Sequence, residues 1–168
     1  AKEGRTNVVK LLLDGGNAEV NSVNQRGETA LLLACEGGHL SIVEMFLKER
    51  LGADVNIACK AGWTALHRAV ANGHDQIVKV LLNRRGTHAN TCSTARDSSP
   101  LLCAALHGNL NMVNALLLNG ADPRVGDNNG TTALHVAASC GNKDIVERII
   151  QTKSHDAASV AAAAQVVL

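Results

Sequence analysis

The sequence predicts an all-α solenoid of stacked helix-turn-helix units linked by hairpin or turn fingers, and two observations carry that reading. The first is a recurring run: TALLLA from Thr29, TALHRA from Thr64, SPLLCA from Ser99 and TALHVA from Thr132, at spacings of 35, 35 and 33 residues. A fixed period in this range marks a repeat architecture, in which no unit can bury its apolar face alone and neighbours stack to make the core. The second is composition: 46% of the 168 residues are hydrophobic, yet only 1% are aromatic. A core of Ala, Leu and Val suits helices packed closely together. Such apolar content with a net charge of +1 excludes disorder, and it argues against a general nucleic-acid-binding surface. The length allows one domain with a sizeable core.

The elements follow in order. Val8, Val9 and Leu11 to Leu13, closed by Gly15 and Gly16, read as a second helix without a first, a half unit. In each full unit Thr29, Thr64, Ser99 or Thr132 suits the N-cap of a short helix, its hydroxyl accepting an orphan backbone N–H. That helix ends at Gly38, Gly73, Gly108 or Gly141, which tolerate the left-handed conformation of a C-cap. A second helix follows over Ile42–Leu47, Ile77–Leu82, Met112–Leu117 and Ile145–Ile150, with apolar residues at i, i+1, i+4 and i+5. Gly52, Gly86 and Gly120 then lead into Asp- and Asn-rich stretches that reach Gly27, Gly62 or Gly130 and read as turns or hairpins. The repeats are expected over 1–152. The Ala-rich tail, 153–168, is expected to form a terminal helix continuing the stack, with a divergent extra unit or a tethered peptide as alternatives. Because the chain opens inside a unit, it is expected to be a piece of a longer protein.

Taken together, these motifs resemble the ankyrin repeat family. Thr64 to His67, Gly73-His74, Ile77-Val78, Leu81-Leu82 and Gly52 to Asn56 match its pattern, and the resemblance runs over about residues 4–152. Ala30, Ala65 and Ala133 stand where the family usually has Pro, which Pro100 keeps, and Leu32 and Leu102 replace the usual His. Extra residues near Arg50-Leu51, near Arg85 and within 93–96 lengthen the connections. These departures alter loops, not the fold.

No catalytic set emerges. There is no Gly-rich phosphate loop, no Gly-x-Ser-x-Gly and no His-Glu-x-x-His. His88 and Cys92 lie four apart but lack a second ligand pair, so no metal site or cofactor is expected. The resemblance makes His67 and His135 structural, bonding between turns, and His39 and His74 similarly so. Glu44 and Glu147 are expected on solvent faces. The five cysteines, with no Cys-x-x-Cys, read as reduced thiols, which places the protein in the cytoplasm, with the nucleus as the alternative. No apolar run approaches the ~18 residues of a membrane span, so no direct membrane contact is expected of this segment.

What remains is an interaction surface. The resemblance implies that partners bind the finger tips and the exposed side of each first helix, a continuous concave face. Carried over residue by residue, this gives Gln25, Arg26, Glu28 and Glu36 in the first unit, and Lys60, Ala61, Trp63, Ala71 and Asn72 in the second. The third offers Arg96, Ser98, Leu106 and His107, and the fourth Asn128, Asn129, Thr131, Ser139 and Cys140. Trp63, the sole tryptophan, reads either as a binding hot spot or as packing over the neighbouring hairpin. Charge is uneven: residues 60–96 carry net +5 between two segments of net −2 each. Lys60, Arg68 and Arg96 lie at or near the concave side and fit an acidic or phosphorylated partner segment. Arg84 and Arg85 suit a helix C-terminus. Arg68 holds the place of Leu33, Cys103 and Val136, so it either snorkels into solvent or marks a local polar contact. The expected function is a scaffold or adaptor module binding another protein. The alternatives are a regulatory or targeting arm of a larger enzyme (kinase, ubiquitin ligase or acyltransferase) and the cytoplasmic domain of a channel or membrane scaffold. The oligomeric state is left open.

Overall fold

A computed structural model describes residues 3–16, 18–48, 51–93 and 98–152. The expectations for Arg96 and for the tail 153–168 lie outside these residues. The chain forms α1 (Thr6–Asp14), α2 (Ala30–Glu36), α3 (Leu40–Phe46), α4 (Ala65–Ala71), α5 (Asp75–Leu82), α6 (Pro100–Leu106), α7 (Leu110–Leu118) and α8 (Ala133–Ser139). A further helix, α9, occupies 143–152. The first helices of successive units, α2, α4, α6 and α8, stack on one another, and α1, α3, α5 and α7 form a second row behind them. The all-α solenoid is therefore the observed architecture. Its fingers are turns closed by isolated antiparallel bridges, Val23 with Thr29 and Gly126 with Thr132.

The caps explain where the first helices begin. The Thr29 and Ser99 hydroxyls accept the N–H groups of Leu32 and Leu102. Thr64 and Thr132 go further, because the cap's own N–H donates to Nδ1 of His67 or His135 at 3.2 Å. Where Leu32 and Leu102 replace that His, the reciprocal bond is missing and only the hydroxyl caps. The first-to-second-helix turn places Gly38, Gly73, Gly108 and Gly141 at φ between 65 and 74°, where a side chain is strained.

One apolar core runs the length of the stack. It takes the inward faces of both rows, for example Leu31, Ile42, Leu66, Ile77, Leu101, Met112, Leu116, Ala137 and Ile145. Each fully buried aliphatic side chain is worth about 1.5–3 kcal/mol relative to exposure. Cys35 and Cys103 belong to this core as small hydrophobes, and burial pushes the Cys35 thiol up to about 12. Three asparagines, in the segments that follow α1, α3 and α5, stitch the units together. Asn21 donates to the Gly52 carbonyl and accepts the Asp54 N–H. Asn56 does the same with Gly86 and His88, and Asn90 with Gly120 and Asp122. This repeated clamp fixes the offset between units, and with it the spacing of the fingers.

Candidate protein-interaction surface

The finger tips are rigidly built. In the first, Asn24 Oδ1 accepts the N–H groups of Arg26 and Glu28. In the fourth, Asp127 Oδ1 accepts those of Asn129 and Thr131. The Thr131 N–H first, and then that of Asn129, hold the Asp127 carboxyl below the usual carboxylate range. The second finger has Cys59 at this place, a buried thiol whose backbone closes the turn through Cys59 N–H to the Trp63 carbonyl. Adjacent tips touch: the Lys60 N–H donates to the Arg26 carbonyl at 3.0 Å, and a Cβ on Gly27 would sit 3.0 Å from Lys60 N. The side chains of Arg26 and Lys60, both exposed, therefore rise from bonded neighbours.

Below these tips lies an ion cluster. Arg68 Nη2 approaches Glu28 Oε1 at 3.3 Å and Nη1 approaches Glu36 Oε1 at 3.9 Å. Its guanidinium carbon lies 5.1 Å from the centre of the Trp63 ring, a cation–π geometry. Asn24 Nδ2 donates to the other Glu28 oxygen at 3.0 Å. The alternative left open for Arg68 is thus settled as a local polar contact. The guanidinium binds the first finger and first helix of one unit to the first helix of the next. Trp63 is half-buried against it, with the His67 ring 6.0 Å away.

Two residues read from the sequence as surface are not exposed. Glu28 is only 7% exposed, because Arg68 and Asn24 enclose its carboxylate. Ser98 is buried just before α6, and its carbonyl accepts the His67 Nε2–H at 3.1 Å. Glu36 and Thr131 are partly covered, as is Ala71. Gln25, Arg26, Lys60, Asn72, Leu106, His107, Asn128, Asn129 and Ser139 are exposed. Of these, Asn72 donates to the Arg68 carbonyl, Ser139 to the Val136 carbonyl, and the His107 ring engages the Cys103 carbonyl. Leu106, 55% exposed, is the apolar member of the surface and sits at the end of α6. Asn24 and Asp127, the residues that shape two fingers, were not singled out from the sequence. The signal for them is an Asn or Asp three residues before the finger glycine, Gly27 or Gly130.

His67 is fully buried, and burial lowers its pKa below the ordinary value of 6.5 despite the bond to the Ser98 carbonyl. His135 makes the same capping bond but is exposed. Among the described residues no group of three or more His, Cys, Asp or Glu is placed to hold a metal ion, and no helix is long and apolar enough to cross a membrane.

The family model described as ankyrin repeats (3 copies) matches residues 1–93 and 85–160. The B-cell lymphoma 3 protein homolog of Mus musculus is 32% identical over 146 residues, covering 86% of this chain and 32% of that protein. The ankyrin repeat protein nuc-2 of Neurospora crassa is 31% identical over 143 residues, 85% of this chain and 13% of its own length. An ankyrin repeat protein of Rickettsia prowazekii is 54% identical over 41 residues, 24% of this chain and 38% of its own. The chain therefore spans between 13 and 38% of the lengths of these relatives.

Proposed function

Because the chain belongs to the ankyrin repeat family, whose members are in general protein-interaction modules, we propose that it is a non-catalytic scaffold presenting its finger-side face to a peptide or domain of another protein. The observation that carries this reading is the division of labour on that face. Glu28, Glu36, Arg68 and Ser98 are used up in holding units together, whereas Gln25, Arg26, Lys60, Leu106, Asn128 and Asn129 are exposed on rigidly bonded supports. A platform that need not order on binding keeps the entropy cost low. Arg26 and Lys60, carried by adjoining tips, favour an acidic or phosphorylated segment over the first two units. Trp63 beside them supplies an aromatic anchor. The cytoplasm fits cysteines that form no disulfide, with the nucleus as the alternative. A second reading, an arm of a larger enzyme or the cytoplasmic domain of a channel, is favoured by the small share of its relatives that the chain spans.

The test is affinity capture with the wild-type chain beside a Lys60→Ala/Trp63→Ala variant of matched thermal stability, read by mass spectrometry. Partners that bind the wild type and are lost from the variant support the proposal. A partner set identical for both chains overturns it.

A further inference from the structure

The second-helix row carries a surface that the finger-side reading does not use. Two recesses flank the C-terminal end of α3. One, of about 170 Å³, lies between α1 and α3, with Leu13, Met45 and Leu51 as its floor and Lys10, Lys48 and Asp14 around it. The other, of about 510 Å³, lies between the ends of α3 and α5 and is lined by Leu47, Val80, Asn83, Arg84 and Arg85. Together, among the described residues, they offer apolar side chains with four cations and one carboxylate around them. The lengthened connections build this lining, since Leu51 and Arg85 fall where residues were added to the regular period.

Helix polarity accounts for part of the charge. Arg84 Nη1 donates to the Leu47 carbonyl, satisfying the end of α3 as a cation at a helix C-terminus should. Lys48 and Arg85 are exposed and close no such bond. We infer that the α1–α3–α5 edge is a second docking surface, one that takes an acidic amphipathic segment of a partner protein. Apolar side chains of that segment fill the two recesses, and its carboxylates meet Lys10, Lys48 and Arg85. Charge complementarity selects this occupant, because among the described residues Asp14 offsets only part of the charge of the rim cations, and a basic segment would add to the excess. Two interhelix spacings of roughly 10 Å each span about 20 Å, which a helix of about 14 residues covers. This surface is separate from the finger-side face and does not depend on it.

The experiment is selection from a display library of random peptides of about 14 residues on the full chain. Binding of the enriched peptides is then measured on wild type, Lys48→Glu/Arg85→Glu and Arg26→Glu/Lys60→Glu, each checked for folding by circular dichroism. The expected result is enrichment of peptides mixing Asp or Glu with Leu, Ile or Phe. Their affinity should fall roughly tenfold at low salt with Lys48→Glu/Arg85→Glu and stay unchanged with Arg26→Glu/Lys60→Glu. Peptides without an acidic bias overturn the inference, as do acidic peptides that respond only to Arg26→Glu/Lys60→Glu. Tighter binding to phosphatidylserine–phosphatidylcholine vesicles than to any peptide, lost in Lys48→Glu/Arg85→Glu, also overturns it and assigns the edge to a membrane surface.

Discussion

Arg68 shows how one side chain can bind two repeats. Its counterparts Leu33, Cys103 and Val136 are apolar, so the position is built for a hydrophobe, and Arg68 is accommodated only because Glu28 and Glu36 come to meet it. Arg68→Leu should therefore not behave as a harmless reversion. It leaves the buried Glu28 carboxylate without its counter-ion, at a cost of about 1–3 kcal/mol in chemical denaturation. Adding Glu28→Gln should recover most of that loss; full additivity of the two changes would mean that the pair does not interact. His67 makes the stack sensitive to pH. Its folded-state pKa is depressed, so the unfolded chain takes up the proton more readily. Stability from this group is complete above the ordinary value of 6.5 and is lost as pH falls below it. Thermal melts between pH 8 and 5 should show a steeper decline for the wild type than for His67→Gln. Parallel declines would assign the sensitivity to other groups.

Helices as short as α1 to α8, seven to nine residues each, cannot hold themselves together, and their ends matter accordingly. Thr64→Ala removes the hydroxyl's bond to the first turn together with its 2.9 Å contact to His67 Nδ1, while the backbone N–H still donates to that nitrogen. It should cost about 1–2 kcal/mol, more than Ser99→Ala, where only the hydroxyl's bond to the first turn is lost. The turn glycines offer a sharper contrast. An alanine Cβ at Gly38 would lie 2.6 Å from the His74 ring, whereas at Gly73 nothing lies within 4 Å. Both have positive φ, so Gly73→Ala should cost about 1–2 kcal/mol from backbone strain alone, and Gly38→Ala should melt at a distinctly lower temperature. Equal melting temperatures would show that the His74 contact is soft. The caps and glycines were legible in the sequence because they are local: a hydroxyl serves an N–H three residues on, and a glycine serves its own φ. The partners of Arg68 were not, because Glu28 lies 40 residues away and only the stacking offset brings the two together. The same reason hid the burial of Glu28 and Ser98. Both occupy finger positions, which usually face solvent, but each is covered by the unit that follows or precedes it.

As a whole the molecule is close to one-dimensional: among the described residues the main helix contacts lie within a unit or between neighbouring units. Side-chain exposure is greater in its first and last described units than at matching places in the middle. Val8 and Leu12 in α1 are 51% and 60% exposed, although Ile42 and Phe46 at the equivalent places of the next unit are buried. His135 is likewise exposed where His67 is buried. Amide exchange should therefore be slowest in α4 and α6 and faster toward α1 and α9; uniform protection would mean a single cooperative block. We propose that the finger-side face binds a protein, and Trp63, the sole tryptophan, reports on that face directly. The measurement is its fluorescence during titration with a partner obtained by capture on the wild-type chain. A saturable change in emission is expected, with affinity at least tenfold weaker after Lys60→Ala/Arg26→Ala. A partner that binds tightly while Trp63 emission stays constant, and whose affinity ignores those substitutions, would contradict it.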